Sequence, residues 1–153
     1  MTTLFRAEEG PSVQTAPPVI DTLAELETIT AATEAVYVRY SKGPRHDARE
    51  KSIDTESGLE LPGLSVNPLA PEPWWTRPAV DWLARQVCQY QHLRQQNPER
   101  HPWIVQGLVV ARGPDCEPLL VDVHTIGVLS DRLLDEARQR YAERFDAGRG
   151  PED

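Results

Sequence analysis

The chain has 153 residues, fourteen of them proline, a hydrophobic fraction of 39% and a net charge of −8. That length suits one domain with a single core, and the acidic balance speaks against nucleic acid as a partner. No apolar run approaches the roughly 20 residues that a bilayer span needs, and the N-terminus lacks the basic start and apolar stretch of a secretory signal. No membrane partner and a cytoplasmic location are therefore expected.

In chain order, residues 1–20 are polar and proline-bearing and read as a mobile tail. Thr22 with Glu25 matches a capping box, and Leu23, Leu26 and Ile29 recur at helical spacing, which predicts a helix over about 22–32. "AVYVRYS" is rich in strand formers and stops at Gly43-Pro44, giving a first strand. Residues 42–60 turn charged and aperiodic and read as a long loop. "GLSVN" is a short second strand fenced by Pro62 and Pro68, each of which lacks a backbone donor.

After the adjacent Trp74 and Trp75, Thr76 and Pro78 mark the start of a second helix. Val80, Leu83, Val87, Tyr90 and Leu93 line one face of it, and Asp81 pairs with Arg85 on its solvent side. "WIVQGLVVAR" and "PLLVDVHT", separated by "GPDCE", form a hairpin over 103–124 inside a covered sheet. Ser130 caps a last helix over about 131–145, with acids early, arginines late, and Leu134, Ala137, Tyr141 and Phe145 inward. Residues 146–153 read as a second tail. The order α-β-β-α-β-β-α predicts an α+β domain over 21–145, with about three helices packed on a small, largely antiparallel sheet.

Phosphate-binding glycine loops, nucleophile elbows and zinc-type ligand pairs are absent. His46, His92, His101 and His124 are scattered, so no metal site is expected, and Cys88 and Cys116 read as reduced, structural thiols. The polar residues on or beside strands are the remaining candidates: Arg39, Ser65, Asp115 and Glu117. Taken singly they have plainer readings: a strand arginine that faces solvent or pairs with one carboxylate, a serine bonding backbone between prolines, and, for Asp115, an ordinary turn residue.

Taken together, an arginine, a serine and a late carboxylate on successive strands resemble the Arg-Ser-Glu order of ADP-ribosyltransferases. That resemblance implies NAD as cofactor, with Arg39 on its phosphates, Ser65 on the nicotinamide ribose and Glu117 on a ribose hydroxyl. Tyr37, Tyr40 or Trp74 would stack on nicotinamide. Two positions depart from the family pattern: Leu64-Ser65-Val66 replaces its Ser-Thr-Ser, and Asp115 stands two before the glutamate. Three blocks in order, "VYVRYSKGP", "SGLELPGLSVNPLAPEPWW" and "GLVVARGPDCEPLLV", also resemble an uncharacterised family of small single-domain proteins from high-GC Gram-positive bacteria. It implies a free-standing cytoplasmic domain and brings no substrate or catalytic residue. The leading expectation is a non-catalytic domain that binds a small ligand or a protein without a cofactor. Its groove lies between the Pro/Trp segment and the sheet, with Tyr37, Tyr40, Trp74, Trp75 and Asp115 as contact residues.

Overall fold

The computed structural model describes residues 16–33, 35–49, 52–54, 56–89, 91 and 96–145. The expected tails at 1–15 and 146–153, and Tyr90, His92 and Leu93 of the expected second helix, lie outside them. Ordered structure begins before Asp21. Strand β1 (Val19–Ile20) pairs in parallel with Val128 and Leu129 near the end of β6 (Pro118–Leu129), and Ile20 is buried. This corrects the expected N-terminal boundary by at least two residues.

Helix α1 (Leu23–Ala32) starts as the capping signal predicts, for Thr22 Oγ1 accepts from the Glu25 N–H at 3.1 Å. The return bond differs: Glu25 Oε1 accepts from Asp21 N at 2.8 Å, one residue before the cap. A second free donor of this helix end, Leu23 N–H, reaches Glu136 Oε1 at 2.9 Å, so an acid of the last helix completes the first helix's cap. Strand β2 (Val36–Ser41) follows, and then a short helix, α2 (Pro44–Arg49), where a loop was expected. Proline at its first position has no N–H to leave unsatisfied, and the left-handed Gly43 (φ +117°) turns the chain into it.

The expected second strand is split in two. β3 (Leu64–Ser65) pairs with β6, and β4 (Asn67–Pro68) pairs with β2, with Val66 between them. Helix α3 (Ala79–Cys88) precedes β5 (His101–Arg112) and β6, which form one long antiparallel hairpin with three register irregularities. Helix α4 (Asp131–Phe145) ends the described chain, with Ser130 Oγ accepting from Leu133 N–H. Neighbouring strands run β1-β6-β5-β2-β4, with β3 also on β6. Because the 64–68 segment touches both β6 and β2, the curled hairpin closes back on the body of the sheet. β-Bulges favour such curvature. The α+β class, the largely antiparallel sheet and the order of the long elements agree with the sequence reading.

Alternation along β2 divides the core. Val36 and Val38 face the helices with Leu23, Leu26, Leu83, Val87, Ile104 and Leu134. Tyr37 faces the inside of the curl, where Val66, Trp103, Val105 and Leu120 form a second cluster. Each fully buried Leu contributes about 1.5–3 kcal/mol through removal from water. Two expectations fail in this region. Asp81 does not sit on the solvent side: its side chain is 3% exposed and is held by Arg140 at 2.5 Å, with Arg77 at 3.9 Å and Arg144 at 4.0 Å. Arg85 instead lies over the Trp82 ring and bonds Gln86. The hairpin is also not covered throughout, since Leu108, Val109, Val110 and Val123 are exposed at its middle.

Candidate functional site

The site begins with strand parity. Val38 and Tyr40 belong to the helix face of β2, so Arg39 and Ser41 project from the other, toward α2 and the 64–68 segment. Arg39 Nε donates to Asp47 Oδ2 at 2.6 Å and Nη1 donates to the Ser65 carbonyl at 2.7 Å. Asp47 comes from α2, and its side chain is 5% exposed. Ser41 Oγ donates to the same carboxylate oxygen at 2.6 Å while accepting from the Trp103 indole at 2.9 Å and from Gly43 N–H at 3.1 Å. Its one donor and two lone pairs are thus all used. Burial opposes the charge on Asp47. The Arg39 hydrogen bond and charge, with help from Ser41 and His46, outweigh it and hold the carboxyl below its ordinary 3.8.

On the opposite wall, the tight turn between β5 and β6 delivers Glu117. Gly113 N–H bonds the Glu117 carbonyl at 2.8 Å, and Cys116 takes a left-handed φ of +63° to close the turn. The Glu117 carboxylate folds back over the turn, accepting from Asp115 N–H through Oε1 at 2.9 Å and from Ser65 Oγ through Oε2 at 2.9 Å. A Cβ on Gly113 would stand 2.4 Å from Oε2, so only glycine lets the carboxylate lie there. Ser65 is fixed at its backbone as well, because its N–H donates to Ser52 Oγ at 3.1 Å.

Arg39, Ser65 and Glu117 therefore meet on one cleft. It comprises two adjoining lobes of about 440 and 560 Å³ that share Arg39, Ser65, Arg100, Asp115 and Glu117. Tyr40, Asn67, Glu72 and Arg112 are among the further residues of one lobe, and Ser52 and Asp54 among those of the other. Arg100 is half-buried, and among the described residues its side chain has no ion-pair partner. Arg112 donates to the Cys116 carbonyl at 3.2 Å. The lining thus offers guanidinium donors and carboxylate acceptors side by side, a combination able to hold a polar molecule by its anionic and its hydroxyl or amino groups at once. Among the described residues no three His, Cys, Asp or Glu side chains are placed to share a metal ion.

Of the expected aromatic contact residues, Tyr40 borders the cleft, whereas Tyr37, Trp74 and Trp75 do not line it. Tyr40 is largely buried, with its hydroxyl donating to the Val87 carbonyl at 2.5 Å, and it borders the first lobe from the core side. Tyr37 packs on the second apolar cluster. Trp75 packs edge-on to Trp82 and beside Phe145, and its indole donates to the Pro78 carbonyl at 3.2 Å. Trp74, 65% exposed, lines a neighbouring groove with Trp82, Arg85 and Gln89, and this groove shares Asn67, Pro68 and Glu72 with the cleft. A turn from Glu72 to Trp75 brings both rings around Trp82 rather than to opposite faces of an extended chain. The Pro/Trp segment does wall the cleft, but with Ser65, Asn67, Pro68 and Glu72.

Sequence reasoning overlooked Asp47, Ser52 and Arg100. The first two lie in the aperiodic 42–60 stretch, where Gly43-Pro44 marked only the end of the first strand, and Arg100 precedes β5 without a motif around it. No helix of the described residues is long and apolar enough to cross a membrane. No curated protein and no solved structure matches the chain. Residues 13–151 match the family model DUF6098, a family of unknown function, and the chain belongs to that family.

Proposed function

We infer that this domain binds a small polar ligand in the Arg39–Ser65–Glu117 cleft, without catalysis being needed to explain the arrangement. The ligand class that suits the lining carries an anionic group for Arg100 and Arg112 and hydroxyl groups for Glu117, Asp115 and Glu72. Sugar phosphates and nucleotides combine both. The observation that carries this reading is the convergence of side chains from β2, β3 and the β5–β6 turn on one polar cleft, held by hydrogen bonds already made without a ligand. Such preorganisation lowers the entropy lost on binding. Arg39 serves as a positioning residue, because its guanidinium is engaged by Asp47 and the Ser65 carbonyl.

The test is a thermal-shift panel of ribose 5-phosphate, AMP, ADP-ribose, NAD and inorganic phosphate. A ligand present at a hundred times its dissociation constant adds about 2.7 kcal/mol of stability. Arg100→Ala is expected to weaken binding at least about tenfold, the loss of one charge-assisted hydrogen bond. Failure of every probe to raise the melting temperature sinks the proposal for this ligand class.

A second reading, ADP-ribosyl transfer from NAD, draws on the 2.9 Å bond between Ser65 and Glu117 in the same cleft as Arg39. In it the nicotinamide glycosidic bond breaks, nicotinamide leaves, and an acceptor nucleophile takes the ribose anomeric carbon while Glu117 holds a ribose hydroxyl. Chromatographic release of nicotinamide that depends on Glu117 and is lost in Glu117→Gln supports this reading. Binding of NAD without turnover supports the first.

A further inference from the structure

The strand pairing leaves the middle of the long hairpin bare. β2 pairs with β5 only as far as Gln106, β3 meets β6 at Leu119 and Leu120, and β1 meets it from Val128. Between those limits, among the described residues, the hairpin is a two-stranded ribbon with unpaired edges, and its apolar residues are exposed: Leu108 is 58% exposed, Val109 39% and Val110 47%. An open strand edge offers a row of backbone donors and acceptors to any matching strand, and natural edges are usually guarded by charge or proline. Residues 102–111, "PWIVQGLVVA", hold no charged residue and no proline beyond Pro102.

Charge and symmetry name the occupant. A chain with net charge −8 repels its own copy over much of its surface, and this uncharged edge is a place where two copies meet without that opposition. The edge is also complementary to itself. An antiparallel pairing about a two-fold axis at Val109 sets Leu108 opposite Val110 and Gly107 opposite Ala111, so apolar meets apolar and no charges face each other. The other edge of the ribbon is less suited. Asp122 interrupts it with a left-handed φ of +53° and would bring a carboxylate near the axis. We propose that two copies of this chain associate by pairing β5 against β5 through residues 107–111, extending the sheet across a two-fold axis.

Sedimentation equilibrium of the full 17.2 kDa chain reads the state directly, and a concentration-dependent dimer is expected. Val109→Lys sets two ammonium groups against each other across the axis and should give a monomer. Val123→Lys, on the β6 strand, should leave the dimer intact. As a check independent of those variants, Val109→Cys in a Cys116→Ser background should cross-link to its own copy under mild oxidation. Opposed Cα atoms of an antiparallel pair lie about 4.5–5.5 Å apart, within reach of a disulfide. A chain that stays monomeric at every concentration overturns the proposal. So does a dimer that survives Val109→Lys without the cross-link, or one abolished by Val123→Lys alone.

Discussion

Replacing Asp47 with asparagine removes the charge of the carboxylate that anchors Arg39 beside the cleft while keeping its shape. In the native protein one oxygen of this carboxylate accepts from Arg39 Nε and Ser41 Oγ, both at 2.6 Å, and the side chain is 5% exposed. An amide oxygen still accepts such bonds but carries no charge, so the guanidinium loses its counter-charge. A hydrogen bond to a charged group contributes about 1.5–3 kcal/mol, and the 20% exposure of Arg39 lets water recover some of that loss. We therefore expect about 2 kcal/mol of destabilisation at pH 7, or a melting temperature lower by roughly 4–8 °C for a chain of this size. The sign with pH follows from the carboxyl being held below 3.8. Its contribution is fully present above that value and is lost as pH falls through the lower native value. Urea unfolding of both proteins at pH 7 and at several values below 3.8 should show the difference shrinking in acid. A difference independent of pH, or none at pH 7, would refute the assignment of Asp47 as the ionised anchor of Arg39.

Three further outcomes follow from single contacts. Gly113→Ala pushes a methyl into the Glu117 carboxylate, and because that group is the far end of a side chain it can move. Calorimetry should show weakened binding of whichever panel member binds, with a stability change under about 1 kcal/mol. Asp81→Asn leaves Arg140 without the counter-charge it holds at 2.5 Å between α3 and α4, and chemical unfolding should register a loss of about 3 kcal/mol. A thiol reagent near neutral pH should label exposed Cys116 first. Cys88 should stay unreactive until the protein unfolds, since burial pushes its thiol up to about 11.

Long elements were legible because their signals are local. The Thr22 and Glu25 cap, the β-branched run at 36–41 and the glycine-proline break between β5 and β6 each specify a boundary from adjacent residues alone. Helix α2 was not legible because six residues do not sustain a helix by propensity. What holds it is the tertiary clasp of Asp47 on Arg39 and Ser41. Asp81 was misread for a related reason. Its spacing to Arg85 suits a surface pair, but α4 packs against α3 and brings Arg140 and Arg144 to the carboxylate, displacing the local partner. At the cleft, the order Arg39, Ser65, Glu117 was visible in the chain. Their meeting depends on the hairpin curling until its turn reaches the 64–68 segment, and Arg100, which lines the same cleft, carries no periodicity that marks it. The two tryptophans drew attention by composition, whereas packing around Trp82 decides where they sit.

Backbone-amide NMR of the isotope-labelled chain, titrated with ADP-ribose, tests the binding cleft most directly. The arrangement predicts saturable shifts at Ser65, Asn67, Arg100, Gly113, Asp115, Cys116 and Glu117, with the amides of α4 unmoved. Shifts confined to α4 or to the bare middle of the hairpin, or a spectrum that ADP-ribose leaves unchanged, would contradict it.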